Sequence, residues 1–228
     1  QTCALPIWSP SPTATWLTPA IGALAGVNHV AVGLGDLGRS DGWADRQVGR
    51  WRKQLEGYSE LPGYPGPDIP GVDAVGEWLD RGRPSDIRIG LMHGDFHFAN
   101  VLVRRDRPTL AAMVDWELAT LGDPLLDLGH LLATWPVQNA AAVGVFAPGL
   151  PSIDDVIDRY AAANPRPLDD LPWFRVLACY RLGLILEGTH ARACAGLAPK
   201  DVGDMLHATT VALFEQALDL ISAAGRRR

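Results

Sequence analysis

Residues 89–127 read IGLMHGDFHFANVLVRRDRPTLAAMVDWELATLGDPLLD, and this stretch sets the expected fold. Residues 89–92 are a short apolar run, and His93-Gly94-Asp95 then places a carboxylate on a tight turn. Asn100 follows five residues later. Residues 101–103 are apolar again, 104–108 are polar turn material, and 110–114 form a second apolar run. Two short apolar runs around a polar turn predict a β-hairpin with Asp115 at its far end. A hairpin of this length returns the chain to its start, so Asp95, Asn100 and Asp115 are expected to converge at one end of a small sheet. Such an oxygen set suits magnesium-assisted phosphoryl transfer, because Mg²⁺ prefers a few hard oxygen donors from protein and the rest from phosphate and water. A separate carboxylate can then orient the attacking hydroxyl. Asp and Asn are also ordinary turn and cap residues; it is the linked set that carries the functional reading.

The motifs carry a family resemblance. HGDFHFAN at 93–100 resembles the HGDxHxxN catalytic loop of the aminoglycoside phosphotransferase and choline kinase group. VDWE at 114–117 is similar to that group's metal motif, and GDPLLDL at 122–128 to the stretch that follows it. The resemblance implies the C-terminal lobe of a protein-kinase-like fold, α+β and mainly helical, using ATP and Mg²⁺. It implies Asp95 as catalytic base, with Asn100 and Asp115 holding the metal and so the nucleotide. It makes His93 a residue that positions the catalytic loop and Asp127 a buried brace. His97 is expected in the catalytic loop near phosphate or metal-bound water. GLGDLGR at 33–39, WELATLGDP at 116–124 and CYRLGLILEG at 179–188 resemble the phosphotransferase domain fused to some acyl-CoA dehydrogenases, over roughly residues 24–220.

Outward from this centre, residues 1–20 contain four prolines and no periodicity, and are expected to be an unstructured tail; 21–225 form the folded lobe. Ser40 is the expected N-cap of a helix to about Leu55, burying Trp43, Val48, Trp51 and Leu55. Residues 57–71 read as a loop, and a short helix ending near Gly82 should face Val72, Val75, Trp78 and Leu79 inward. Ser152 and Asp155 form a capping box. A long apolar helix is expected from Leu171 to about His190. A last helix from near Pro199 should carry Val202, Leu206, Thr209, Leu213 and Leu220 on one face. The glycines of 33–38 read as a loop rather than a phosphate cradle, since no strand precedes them.

The chain has 228 residues and a net charge of −6, with 47% hydrophobic and 20% charged residues. That is a globular composition without the clustered cations that nucleic acid requires. The acidic balance favours a cationic or neutral substrate. Cys3, Cys179 and Cys194 lack metal-type spacing and read as reduced thiols of a cytoplasmic protein. The longest apolar stretch, 131–150, is broken by Pro136, Gln138, Asn139 and Pro148, so no membrane span is expected. His93, Asp95 and His97 alternate as in a transition-metal strand, but too few further ligands lie nearby in sequence. His130 reads as a core histidine. Asp154, Asp158, Arg181 and Glu187 are candidates for contacting the small-molecule hydroxyl substrate.

A kinase-like enzyme also needs a glycine-rich hairpin over the phosphates and a strand lysine. The chain's two lysines, Lys53 and Lys200, both fall in helical patterns. The expectation is therefore a truncated phosphotransferase. Its rivals are a non-catalytic binding fragment and a metal-dependent phosphoesterase built on the same oxygens.

Overall fold

The computed structural model describes residues 17–104, 106–107, 109–136 and 150–226. Among these, the elements run α1 (Leu17–Ala25), α2 (Gln47–Tyr58), α3 (Val72–Arg81), β1 (Gly90–Met92), β2 (Val101–Val103), β3 (Leu110–Met113), β4 (Thr120–Gly122), α4 (Leu125–Ala133), α5 (Ile153–Ala163), α6 (Leu171–Cys194) and α7 (Lys200–Gly225). The chain is α+β and mainly helical.

The hairpin is present. β2 pairs antiparallel with β3, Val101 opposite Met113. Around it lies a second pairing, β1 antiparallel to β4 with Leu91 opposite Leu121. Three residues are too few for alternation to show in sequence, so β4 carries no signal of its own. The second pairing matters because it clamps the chain before the His93 turn to the chain after Asp115. Leu37 extends it: its carbonyl accepts from Leu121 N–H at 2.8 Å, which explains the glycine-rich loop at 33–38 as a strap along β4.

Helix α6 is the centre of the fold. Its apolar residues face all directions, as a helix buried on every side requires. Val176, Leu177, Ala178, Cys179 and Leu184 are fully buried within the main cluster. α4 and α7 pack against it. On α7 the buried face is Gly203, Thr210, Leu213, Phe214 and Ala217, one residue round from the expected stripe, and Val202 is exposed. Gly203 sets this rotation, because a Cβ there would lie 2.3 Å from Ala193 Cβ. Apolarity ranks Val202 above Gly203, whereas close helix approach selects the glycine.

Other elements follow local rules. α5 starts with the expected capping box, Ser152 Oγ accepting from Asp155 N–H while the Asp155 carboxylate accepts from Ser152 N–H. α2 begins at Gln47 after a 3₁₀ turn at Ala44–Arg46, later than the Ser40 start. Its buried side of Trp43, Val48, Trp51 and Leu55 is as expected. α1 takes in residues 17–20 of the expected tail: Leu17 and Thr18 are buried beside Ile21 and Leu24. Apolar burial here overrides the proline-rich context. Residues 1–16, including Cys3, and 137–149 lie outside the described residues. Cys179 and Cys194 are free thiols. No helix among the described residues is long and apolar enough to cross a membrane.

Replacing Gly203 with Ala should destabilise the protein by about 1–3 kcal/mol through overpacking, despite the roughly 1 kcal/mol that Ala gains in helix propensity. Chemical denaturation tests this, and unchanged stability would show that α6 and α7 can separate freely.

Candidate active site

The His93–Asp95 turn is fixed from beneath. Asp127, on the first turn of α4, accepts His93 N–H at 2.7 Å and Gly94 N–H at 2.9 Å. Arg181 of α6 donates to the Gly94 carbonyl from the other side. Gly94 has φ +81°, and a Cβ there would lie 2.2 Å from the Leu118 carbonyl oxygen. The turn thus rests directly on the segment after Asp115 and tolerates no side chain. Asp127 is 1% exposed. Burial pushes its carboxyl up, while the two backbone N–H groups and the charge of Arg181 pull it back. Burial lowers the Arg181 pKa, with Asp127 and Asp95 opposing.

His93 joins the two halves of the site. It is fully buried. Its Nε2 lies 2.9 Å from the Val114 carbonyl, which can only accept, so the proton sits on Nε2. Its Nδ1 then accepts from Asp95 N–H at 3.3 Å. Val114 N–H in turn donates to the Asn100 carbonyl at 2.9 Å, continuing the hairpin register. Through these bonds the backbone at Asp115 is tied to both Asp95 and Asn100. Both ring nitrogens of His93 are thus engaged by backbone groups.

Asn100 lies at the end of a 3₁₀ turn, Phe98–Asn100. Its amide nitrogen donates to the Asp95 carbonyl and to Asp95 Oδ2, both at 2.9 Å. Both amide protons are thereby used, and Asn100 Oδ1 is left as an acceptor without a hydrogen-bond partner among the described residues. Asp115 is exposed, and its carboxylate has no hydrogen-bond partner among the described residues. Its φ of +66° is the one positive value of a non-glycine residue among the described residues. Left-handed backbone costs an L-residue roughly 1–2 kcal/mol, less for Asp than for most. Backbone strain of this kind clusters at ligand sites, which makes Asp115 a candidate. The oxygens of Asn100 and Asp115 fit a hard divalent ion by donor chemistry.

Two histidines flank the Asp95 carboxylate. His97 caps the 3₁₀ turn by accepting Ala99 N–H on Nδ1 at 3.1 Å, so its Nε2 proton faces Asp95 Oδ2 at 3.4 Å. His130 of α4 brings Nε2 to 3.1 Å from Asp95 Oδ1. That approach lacks the alignment of a full hydrogen bond, and His130 Nδ1 has no hydrogen-bond partner among the described residues. His130 is thus not a satisfied core histidine. Burial lowers its pKa, with Asp95 pulling the other way. Burial also raises that of Asp95, but His130 and then His97 outweigh it and hold the carboxyl well below the usual carboxylate range. The alternating histidines split: His97 joins Asp95 and His130 in one cluster, and His93 stays outside it.

A cavity of about 400 Å³ opens beside Met92 and the turn. Arg39, Arg46, Arg50 and Arg181 line it with Trp43 and Trp51, against a single acidic residue, Glu117. The local charge there opposes the net charge of the chain, and Asp95, Asn100 and Asp115 are not among the lining residues. Of the other candidates for substrate contact, Asp154 and Asp158 lie exposed on α5, and Glu187 is buried between α6 and α7. Asp123 escaped the motif reading. It is fully buried, clamped by the Arg166 guanidinium and the N–H groups of Arg88 and Leu125. Its place in a GDP tripeptide before a helix was the available signal.

The model of the phosphotransferase enzyme family matches residues 6–156. The chain belongs to this family. A solved structure from Ralstonia eutropha, assigned to the aminoglycoside phosphotransferases, aligns with this chain at a TM-score of 0.79 and 27% identity, over 94% of this chain and 68% of that one. Choline kinase from Cryptosporidium parvum shares the fold, with a TM-score of 0.56 at 12% identity over 93% of this chain and 66% of that one. Among curated proteins, mouse (Mus musculus) acyl-CoA dehydrogenase family member 10 is 25% identical, over 88% of this chain and 19% of its own length. Member 11 of the same species is 30% identical, over 82% of this chain and 24% of its own. The chain spans about a fifth to a quarter of the curated relatives it matches.

Asp115→Gly should leave the protein equally stable or up to about 1 kcal/mol more stable, since glycine relieves the left-handed strain but adds freedom to the unfolded chain. Urea unfolding decides it: a clear loss of stability would mean that the Asp115 side chain supports the fold rather than a ligand.

Proposed function

We propose that this chain supplies the catalytic lobe of an ATP- and Mg²⁺-dependent phosphotransferase acting on the hydroxyl of a small molecule. The observation that carries the reading is the bonding of Asn100 to Asp95, with the Asp115 backbone tied to both through Val114 and His93. Asn100 Oδ1 and the Asp115 carboxylate would hold Mg²⁺, which when bound offsets the charge of the nucleotide phosphates.

Asp95 acts on the acceptor. Its carboxylate is partly exposed, at 26%, and is oriented by Asn100 and His97. The acceptor hydroxyl donates to it, the hydroxyl oxygen bonds to the γ-phosphorus, the bond from that phosphorus to the bridging oxygen breaks, and the proton passes to Asp95. A carboxylate with so low a pKa is a weak base. Its main contribution is orientation, with the proton moving late, once bonding to phosphorus has acidified the hydroxyl. His130 and His97 keep the carboxylate ionised and fixed.

The arginine-lined cavity favours an acceptor carrying an anionic group. Together with the kinship to acyl-CoA dehydrogenase family members, this supports a hydroxyacyl substrate over a polycationic antibiotic. In the full-length protein, Asp95→Ala should lower ATP turnover by ~10²–10⁴-fold, and an unaffected rate would reject the role. The lowered pKa has a direction: Asp95 stays ionised down through the ordinary carboxylate range near about 3.9. The kcat/KM profile should therefore have no acidic limb between pH 7 and about 5. An apparent pKa there would transfer the base role to a histidine.

A second reading, a non-catalytic binding fragment, draws on the lysines. Lys53 is exposed on α2, and Lys200 pairs with Asp204 on α7, so neither stands on a strand, where a kinase-like fold carries its phosphate lysine. Calorimetric titration of the 228-residue chain with Mg²⁺-ATP separates the readings. Weak or absent binding is expected if the phosphate-binding lobe must come from other sequence, and micromolar affinity would overturn the fragment reading.

A further inference from the structure

A second polar cluster lies between α6 and α7, and nothing in the phosphotransferase chemistry uses it. Glu187, His190 and Cys194 fall at i, i+3 and i+7 on one face of α6, and Asp204 and His207 at i and i+3 on α7. The antiparallel packing of the two helices brings these faces together. Glu187 is fully buried, and its ion-pair partner among the described residues is a histidine rather than Lys or Arg. A buried carboxylate without a full cation beside it is costly.

Its neighbours are donors close enough together to share one ion. Glu187 Oε2 lies 2.8 Å from His207 Nδ1. The His190 and His207 rings stack at 4.5 Å between centroids. One donor atom from each of Glu187, His190 and His207 lies within 4.8 Å of the others. A tetrahedral ion with bonds of about 2.0–2.1 Å spaces its donors roughly 3.4 Å apart, within reach of side-chain rotation. The second, independent observation is His190 Nδ1, which is buried and has no hydrogen-bond partner among the described residues; the nearest carboxylate oxygen there, on Asp204, is 4.0 Å away.

We propose that Glu187, His190 and His207 bind one divalent transition-metal ion of the zinc class, clipping α6 to α7. Two imidazoles and a carboxylate are a donor set that suits Zn²⁺ and leaves a fourth position open. His207 and Asp204 are 25% and 51% exposed, which gives that position access to solvent. Outer partners are already in place. Tyr64 donates its hydroxyl to Glu187 Oε1 at 2.7 Å, and burial followed by Glu187 pushes its pKa up, so it remains a donor. With His190 bound through Nδ1, its Nε2 faces Cys194 Sγ at 3.6 Å. Such outer hydrogen bonds orient metal ligands.

The test is titration of the chelator-treated 228-residue chain with Co²⁺, whose visible d–d absorption reports coordination, followed by displacement with Zn²⁺. One saturable site per chain is expected. His190→Gln and His207→Gln should each weaken it more than about a hundredfold, and Tyr64→Phe by about 10–100-fold, the effect of losing an outer partner. His97→Gln should leave it unchanged. Circular dichroism of the metal-free variants checks folding, and if the histidine variants do not fold, Tyr64→Phe decides. The proposal is overturned by the absence of saturable absorption, by bands that ignore the α6 and α7 variants, or by bands that vanish in His97→Gln and so place the ion at Asp95.

Discussion

The buried carboxylate of Asp127 holds the two N–H groups that open the His93–Asp95 turn, and the guanidinium of Arg181 holds the carbonyl of the same turn. These contacts come from α4 and α6, the central helices of the fold. They convert the rigidity of a helical core into the position of a single loop. Removing one partner of a buried charge arrangement is worth several kcal/mol, so the turn moves only if the core moves. The rest of the site hangs from it: His93 reaches from the fixed turn to Val114, and Val114 reaches to Asn100.

Orientation in this site is therefore a matter of side chains bonded to main chain. Asp95, Asn100 and Asp115 sit on short segments cross-linked at 2.9–3.3 Å by the His93 ring, the Asn100 amide and one main-chain bond, Val114 N–H to the Asn100 carbonyl. Pre-organised oxygens of this kind suit a reaction whose catalysis is positioning and charge stabilisation. The strain at Asp115 is consistent with that design. The outer β1–β4 pairing encloses the whole arrangement, so the hairpin cannot slide without breaking a second ladder.

Charge works at two scales here. The chain as a whole is acidic at −6, yet four arginines meet at the cavity beside the turn. Arg181 belongs to both the brace and the cavity, so the residue that steadies the turn also contributes to the field an acceptor would meet. The ring of Trp51 supports it, with the guanidinium carbon 5.5 Å from the centroid. At distances beyond about 8–10 Å, salt screens the remaining surface charge, and the local set dominates.

The HGD turn, the hairpin, the capping box and the long apolar helix were all legible in the amino-acid sequence, because each depends on residues within a few positions of one another. Periodicity, turn chemistry and motif spacing are local quantities. The strand at Thr120–Gly122, the rotation of α7 to its Gly203 face and the burial of Leu17 and Thr18 were decided by tertiary packing, where contact with a distant element outweighs local preference. The same division holds in the site. Sequence supplied Asp95, Asn100, Asp115 and Asp127 as a linked set, but His130, Arg181 and the Glu187–His190–His207 cluster acquire meaning only when helices far apart in the chain are laid side by side, since proximity between such residues leaves no pattern in the order of the amino acids.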